Sequence, residues 1–294
     1  MKLSDIAELA LLAAVWGGSF LFMRIAAPVI GPVWLIECRV LLAGLVMLLF
    51  VARQGQLYLL RKHFVPLIVV GCINSAIPFV LLAFASVSLP AGFTTILNGT
   101  APLFGMIIAS IWLKERLTAT RLMGFILGFI GVVILVGLRN ISVTPSFLMA
   151  VGAGLLAALM YAIAAPYIKQ SMIGVPSLVV TTGSQLAAAV ILVPALPFTI
   201  PHEAPSTTVV AAVIAVALLS TALAYVLYFR LIQNIGSTKA LTVTYLIPLF
   251  AMLWGALVLN ERVTPSMIGG CALVLLGTAI ANDLFKGLFN HPQR

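Results

Sequence analysis

Two polar side chains each stand four positions before a proline inside long apolar stretches: Asn98 before Pro102, and Thr244 before Pro248. Proline has no amide hydrogen, so within a helix the carbonyl four residues earlier loses its donor. Each site therefore combines a free carbonyl with a polar side chain, a pairing that can hydrogen-bond a polar solute. Asn74 precedes a third proline by the same interval. The alternative is that neighbouring helices satisfy these groups and the prolines only shape the bundle.

Aromatic residues near the same depth are candidates for the wall of a solute cavity. Small-molecule sites are mainly apolar, with a few polar groups that fix orientation. For any one of these residues, packing or contact with lipid is an equally ordinary role. Trp16 and Tyr161 gain weight because they fall near matching places of an internal repeat. The candidates are Trp16, Phe20, Phe79, Tyr161, Tyr225 and Tyr245.

Three charged residues fall inside the first two predicted helices, near their outer ends: Arg24, Glu37 and Arg39. We expect Arg24 and Glu37 to be able to pair across the short loop that contains Pro32. One interpretation is an outer gate or a guide for a carboxylate. The other, which we favour, is structural, because long charged side chains near a helix end extend to the membrane interface.

The motifs of common enzymes are missing from the sequence. It has no phosphate-binding loop of the GxxxxGK[ST] type, and neither HExxH nor GxSxG. No paired Asp or Glu lies deep in the apolar stretches, so an intramembrane enzyme is not indicated. The three cysteines have no CxxC spacing and predict neither a disulfide framework nor a metal site. We therefore expect no catalysis, no cofactor and no metal.

The composition is that of a membrane protein. Of the 294 residues, 63% are hydrophobic and 8% charged, whereas about a quarter of the residues of a soluble domain are charged. The net charge of +9 comes from basic residues in loops, as the positive-inside rule describes. We therefore expect a lipid bilayer and a small-molecule solute as partners, and no nucleic acid. The oligomeric state is left open.

Ten apolar runs are long enough to cross a bilayer as helices, which takes about 20 residues each. They lack the alternating pattern of barrel strands, so the predicted fold is an all-α polytopic membrane protein. The first run continues to about Ala27, too long for a signal peptide, and is predicted to be retained. The predicted spans are 5–28, 33–52, 64–84, 90–113, 119–138, 146–168, 176–197, 206–230, 237–259 and 264–286.

The basic residues predict the orientation of these spans. If the N-terminus is cytoplasmic, 12 of the 16 Lys and Arg residues fall at cytoplasmic ends and 4 at outer ends. Cytoplasmic loops carry the excess of Lys and Arg in most membrane proteins. The asymmetry therefore predicts that both termini are cytoplasmic, with an even number of spans between them.

The two halves of the chain match at a constant offset of 146 residues. The segment PLF at 102–104 recurs as PLF at 248–250, and LKERLT at 113–118 recurs as LNERVT at 259–264. A shared ER-x-T loop with flanking Pro and Gly in register is not expected by chance. The register continues without a gap through Gly124, Leu127, Gly131 and Ile134, matched by Gly270, Leu273, Gly277 and Ile280.

Each predicted half, 1–140 and 141–294, holds five spans, so the second half enters the membrane inverted. Glu115-Arg116 is then cytoplasmic and Glu261-Arg262 is on the outer side. We expect both pairs to be structural, because a Glu near a helix start suits the helix dipole. Inverted repeats recur in secondary transporters, with the solute site near the midplane between them.

The segment AVWGGSF at 14–20, followed by Arg24 and Arg39, resembles the opening of an EamA domain. LKERLT and LNERVT, each followed by a glycine-containing helix, resemble the closing signature of each copy. Two such copies cover nearly the whole chain, as in the ten-helix branch of the drug/metabolite transporter superfamily. The resemblance implies a basket-like fold with a central cavity and the export of amino acids or related metabolites, with aromatic amino-acid exporters as the nearest fit.

The predicted function is a secondary transporter that exports amino acids or related small metabolites across the inner membrane by alternating access. The alternatives are an exporter of drugs or other metabolites with the same fold, and a receptor or scaffold that moves no solute. Proton coupling and facilitated diffusion both stay open. The predicted cavity residues are Asn98, Thr244, Trp16, Phe79, Tyr161, Tyr225, Tyr245 and Asn74. The predicted gating or structural residues are Pro102, Pro248, Arg24, Glu37 and Arg39.

Overall fold

The computed structural model describes residues 2–112, 114, 117–137, 144–201 and 203–282. Helices account for nearly all of them. Three predicted features lie outside the described residues: the Glu115-Arg116 pair, the predicted boundary between the halves at 140, and the part of the last predicted span beyond 282.

Fifteen α-helices are present in the described part of the chain, together with two π segments and one 3-10 segment. The π segments Gly71–Ala76 and Leu218–Leu223 each join two helices without a break, and the 3-10 segment Val193–Phe198 extends the end of one helix. The helices are α1 (Leu3–Ile30), α2 (Pro32–Arg53), α3 (Leu57–Lys62), α4 (Phe64–Val70), α5 (Ile77–Ser88), α6 (Ala91–Asn98), α7 (Ala101–Trp112), α8 (Ala119–Gly137), α9 (Pro145–Ser171), α10 (Ser177–Leu192), α11 (Thr207–Ala217), α12 (Ala224–Ile235), α13 (Ser237–Ala240), α14 (Val243–Leu259) and α15 (Pro265–Ala281).

Eight helical segments are long and apolar enough to cross a membrane, and two shorter apolar helices, α14 and α15, have 17 residues each. All ten fall on the ten predicted spans. The third segment continues to Ser88 and the eighth to Ile235, beyond the predicted ends at 84 and 230. The all-helical prediction is confirmed, while ten crossings arranged as inverted repeats stay a prediction.

Thr-Pro pairs explain where two of these helices begin. Thr144 and Thr264 precede α9 and α15, and each side-chain oxygen accepts a hydrogen bond from the backbone amide three residues later. Proline follows at the first helical position, where its missing amide hydrogen costs nothing. These caps end the preceding loops at defined residues.

The fourth predicted span is broken in the middle, at Gly99 and Thr100. Pro102 is the second residue of α7, so it starts a new helix instead of kinking a continuous one. Pro248 differs, because it lies inside the continuous helix α14. The corresponding break comes earlier, at 241–242 between α13 and α14. The two repeat-related prolines therefore differ, because Pro102 lies at a helix start and Pro248 inside a continuous helix.

The two π segments lie at nearly equivalent places of the repeat. The first begins at Gly71 and the second at Leu218, 147 residues apart. Pro78 follows the first and accounts for the disturbance that the sequence predicts near Asn74. The second π segment contains no proline, and no feature of the sequence predicted it. π segments within α-helices are frequent at functional sites.

Helices α8 and α15 pack with their backbones in contact, because glycines face one another. A Cβ atom on Gly124 would lie 2.6 Å from the carbonyl oxygen of Gly277, and one on Gly277 would lie 2.5 Å from that of Gly124. Gly131 and Gly270 form a second such pair, at 2.8 and 2.9 Å. No larger residue fits this seam, and small residues allow membrane helices to approach this closely.

Helix α1 runs through the centre of the bundle, in contact with α2, α5, α6, α11, α12 and α14. Its residues Leu12, Ala13, Met23 and Ala26 are fully buried. Large apolar side chains such as Ile111 are instead exposed on the outside. An exterior this apolar is what a lipid environment solvates.

Candidate functional site: a central cavity

A cavity of about 360 Å³ lies between the helices. Sites for small molecules usually have volumes of roughly 300–1,000 Å³, so this one can enclose a metabolite. All eight predicted cavity residues line it, together with Pro102, Pro248 and Arg39. Phe20, a further aromatic candidate, also lines it, and the polar and aromatic residues that the structure adds are Ser19, Thr95, Tyr228 and Thr278.

Both repeat-related parts of the chain contribute to the wall. From the first part come one face of α1, Arg39 of α2, Asn74 of the first π segment, and the break between α6 and α7. From the second part come Tyr161 of α9, Tyr225 of α12, and the first turns of α14. Irregular backbone inside a membrane bundle is tolerated where it lines such a cavity.

The aromatic side chains of the wall form two contacting groups. The ring of Trp16 lies 6.3 Å from that of Tyr225, edge to face, and 5.2 Å from that of Tyr228. On the other side, the rings of Phe79 and Tyr161 are 6.5 Å apart. Tyr228 was not among the predicted residues, although Tyr228 follows Tyr225 by three positions and so lies on the same helix face.

Arg39 is the charged residue of the cavity, where the sequence predicted a side chain that extends to the interface. Only 5% of its surface is exposed. Its Nε atom donates to Thr221 Oγ1 at 3.0 Å, and Nη1 lies 3.9 Å from Met23 Sδ. The guanidinium carbon lies 4.0 Å above the centre of the Phe79 ring, a cation–π contact. Arg39 therefore does not extend to the membrane interface, in contrast to the prediction from the sequence.

The three proline-associated polar residues differ in how their side chains are used. Asn98 lies at the end of α6, and its Oδ1 atom is buried and accepts no hydrogen bond from the described residues. Thr244 is exposed, and its hydroxyl donates to the carbonyl of Leu241 at 2.8 Å. Asn74 is half-buried in the first π segment. Asn98 is thus the strongest free acceptor of the three.

Tyr245 lies beside Thr244 on the same wall. Its hydroxyl accepts a hydrogen bond from the Asn282 side chain at 3.4 Å. This contact joins the first turns of α14 to the end of α15, so Tyr245 closes the cavity wall at that corner.

Arg24 joins four elements in what we call the Arg24–Glu261 network. Its Nε atom lies 3.4 Å from Glu261 Oε1, and Nη1 donates to the carbonyls of Ser86 and Val87 near the end of α5. Glu261 Oε2 accepts from the amide of Ala91, the first residue of α6, at 3.0 Å. Arg24 thus pairs with Glu261, not with Glu37 as expected.

Glu37 stays apart from this network. It is buried, with 6% of its surface exposed, and its Oε2 atom has no hydrogen-bond partner among the described residues. It does not line the cavity. The structure thus separates the three charges that the sequence placed together, since Arg24 lies in the network, Arg39 lies in the cavity, and Glu37 lies in neither.

No group of three or more His, Cys, Asp or Glu side chains could hold a metal ion in the part of the chain that the structure describes. The chemistry that the described cavity offers consists of aromatic contacts, neutral hydrogen bonds and the charge of Arg39.

The sequence model of the EamA-like transporter family matches this chain twice, at residues 6–137 and 148–282. Together the two matches cover most of the 294 residues. The chain belongs to the EamA-like transporter family. It is therefore a multi-pass membrane protein from a family of transporters, and the resemblance found in the AVWGGSF and ER-x-T segments is confirmed.

Similar proteins agree with the family over nearly their full lengths. An uncharacterised transporter from Archaeoglobus fulgidus is 22% identical, over 92% of this chain and 96% of its own. A probable terminal-alkyne amino-acid exporter from Streptantibioticus cattleyicolor is 24% identical, over 96% and 95%. A probable amino-acid metabolite efflux pump from Salmonella typhimurium is 25% identical, over 92% of each chain.

A solved crystal structure of a protein superimposes on this EamA-family chain with a TM-score of 0.67 and 19% sequence identity. The alignment covers 99% of this chain and all of the other. At this identity the likeness shows the fold alone, and it shows it over the full length.

Proposed function

We propose that this EamA-family protein is a secondary exporter of amino acids or related small metabolites and works by alternating access. The observation that carries the proposal is the cavity of about 360 Å³, because its wall comes from both repeat-related parts of the chain. A site between two repeats lets one solute face either side of the membrane as the repeats tilt. The relatives from Streptantibioticus and Salmonella, a probable amino-acid exporter and a probable amino-acid metabolite efflux pump, support the substrate class.

The two matches to the family support an inverted repeat, and so do the glycine contacts between α8 and α15. At the 146-residue offset, Gly124 is equivalent to Gly270 and Gly131 is equivalent to Gly277. The Gly124–Gly277 contact is therefore equivalent to the Gly131–Gly270 contact. Contacts that exchange in this way are expected around a two-fold axis between two copies. An axis in the membrane plane relates the repeats of many secondary transporters.

We place both termini in the cytoplasm of an inner membrane, from the distribution of Lys and Arg. The Arg24–Glu261 network then closes the outer end of the bundle. Leu241 and Thr244, which are exposed and line the cavity, belong to the cytoplasmic half. We propose that this conformation is open to the cytoplasm, the state in which an exporter takes up its solute. Labelling of engineered cysteines near Lys62 or Lys169 from outside intact cells would contradict this orientation.

A counterflow screen in proteoliposomes tests transport directly. Purified protein is reconstituted with an unlabelled amino acid inside, and uptake of the labelled compound is measured for each amino acid in turn. We expect accumulation above that of empty liposomes for at least one amino acid. A protein that exchanges only drugs or other metabolites would change the substrate class, and one that moves no solute would point to a receptor or scaffold.

Substitutions of two cavity residues test the site within the same assay. Asn98→Leu and Thr244→Leu remove hydrogen-bonding groups worth about 1 kcal/mol each, so we expect flux to fall several-fold at equal amounts of folded protein. Asn234→Leu and Thr120→Leu, at exposed positions on α12 and α8, are the matched controls. Normal flux in both cavity variants would remove these two residues from the site.

A further inference from the structure

We infer that Arg39 is the anion-binding residue of the cavity, and that the solute carries a carboxylate attached to an apolar or aromatic body. This inference rests on the proposed function and names the solute group that the site recognises. It starts from a charge that the described protein does not neutralise.

Arg39 has no acidic partner among the residues that the structure describes. The described ion pairs are Arg24 with Glu261 and Arg230 with Glu8, and no Asp or Glu lines the cavity. A guanidinium remains charged in proteins and has five N–H donors, of which two reach protein acceptors here, Thr221 Oγ1 and Met23 Sδ. Burying an unpaired charge is costly. A solute anion would supply the missing partner.

The surroundings of Arg39 favour a carboxylate among anions. The planar guanidinium donates two parallel hydrogen bonds to a carboxylate. Arg39 is the single basic residue among the described residues of the cavity wall, which matches one negative charge. Phe79 holds one face of the guanidinium, and Thr221 fixes its Nε atom. The Nη atoms are thereby oriented before a ligand arrives.

The rest of the cavity suits the remainder of such a molecule. Trp16, Tyr161 and Tyr225 offer aromatic surface for an apolar body. Asn98 Oδ1 is a buried acceptor without a donor, which an ammonium group can satisfy. An amino acid with an aromatic or long apolar side chain has all three parts. A carboxylic acid without an amine has the two that Arg39 and the aromatic wall require.

The test compares three ligands that differ by one group at a time. They are phenylalanine, 3-phenylpropionate, which lacks the ammonium, and phenethylamine, which lacks the carboxylate. Binding is measured at neutral pH as the rise in unfolding temperature of the purified protein in detergent, since a ligand that binds only the folded state stabilises it. We expect the two carboxylates to stabilise the wild type clearly more than phenethylamine does.

Variants then assign this difference to Arg39. In Arg39→Gln, we expect the dissociation constants of the two carboxylates to rise at least about tenfold, as when a hydrogen bond to a charged group is lost. Arg39→Lys keeps the charge without the planar fork and should lie between Gln and the wild type. The matched control is Arg53→Gln, at the exposed last turn of the same helix, which should bind as the wild type does.

The unfolding temperature without ligand separates binding from a structural role. Removing an unpaired buried charge should leave it unchanged or raise it, whereas a structural Arg39 would lower it. Equal carboxylate affinity in Arg39→Gln, stabilisation of the wild type by phenethylamine as strong as by 3-phenylpropionate, or no stabilisation by either carboxylate would each overturn the inference. The ligand comparison on the wild type stands even if a variant does not fold.

Transport in liposomes is scored separately. A wild type that binds carboxylates in detergent but moves none of them in counterflow contradicts the exporter and supports the Arg39 site. One that moves solutes regardless of a carboxylate supports a transporter and contradicts the Arg39 site.

Discussion

The Arg24–Glu261 network and the Arg39 site are each built around an arginine, and they differ in the source of the anionic partner. Arg24 has a carboxylate and two carbonyls of the protein as partners. Arg39 has a hydroxyl, a thioether and an aromatic face. The protein itself supplies the hydrogen-bond acceptors of Arg24, whereas Arg39 keeps free N–H donors that a ligand can use.

The difference indicates that charged residues have two separate roles in this bundle, stabilising the fold and binding a ligand. Charges that the protein neutralises itself tie together elements distant in sequence, here α1, α5, α6 and the α14–α15 connection. A buried charge with free donors lowers the stability of the fold. Such a charge is retained where a ligand binds to it. Substitutions in the network should therefore lower stability, while substitutions around Arg39 should mainly alter affinity.

The largest expected effect is on the network itself. Glu261→Ala removes the partner of Arg24 and the acceptor of the Ala91 amide. Breaking a buried ion pair costs about 3–5 kcal/mol, and breaking an exposed one costs almost nothing. Because the Arg24 and Glu261 side chains are 30% and 13% exposed, we expect the free energy of unfolding to fall by about 2–3 kcal/mol. Thermal unfolding in detergent measures it, with Glu203→Ala, an exposed loop residue, as control. Unchanged stability would show that the network does not hold the bundle together.

The second effect reaches the same carboxylate without altering any charge. A Cβ atom on Gly255 would overlap Glu261 Oε2, so Gly255→Ala should push the carboxylate away from Ala91. Overpacking of this kind costs about 1–3 kcal/mol. Gly152→Ala is the matched control, because a Cβ there meets nothing within 4 Å on helix α9. If the two variants unfold at the same temperature, the position of the Glu261 carboxylate does not affect the stability of the protein.

The smallest effect concerns the support of Arg39. Thr221→Val removes the acceptor of Arg39 Nε, which should weaken carboxylate binding by about 1 kcal/mol, the worth of one hydrogen bond. Thr182→Val is the control, since the buried Thr182 hydroxyl has no partner among the described residues. Ligand titrations of both variants by unfolding temperature compare them. Equal affinities would mean that Thr221 does not orient the guanidinium.

The all-helical fold and most of the cavity wall could be predicted from the sequence. Apolar runs located all ten helical segments, and residues four positions before prolines, together with aromatics at similar depth, turned out to share one cavity. The reason is that polar groups deep in an apolar helix have few other places to face.

The role of Arg39 could not be predicted in the same way. Its position along α2 indicated the outer end, but its partners Thr221 and Met23 come from other helices, and a single sequence contains no signal for such contacts. Thr221 also lies in a π segment that no proline marks. Glu261 was predicted near its own helix start, and its partner Arg24 lies at the other end of the chain.

The glycine seam between α8 and α15 has a consequence for how such a chain can arise and vary. Gly124 meets Gly277, and Gly131 meets Gly270, so each surface of the seam is made by equivalent residues of the two sequence copies. This is the form of an isologous homodimer interface, in which one patch is complementary to itself. A separate chain with this patch could pair with a second copy of itself through the same contacts. Within this chain, matched substitutions at Gly124 and Gly270, or at Gly131 and Gly277, act on equivalent contacts.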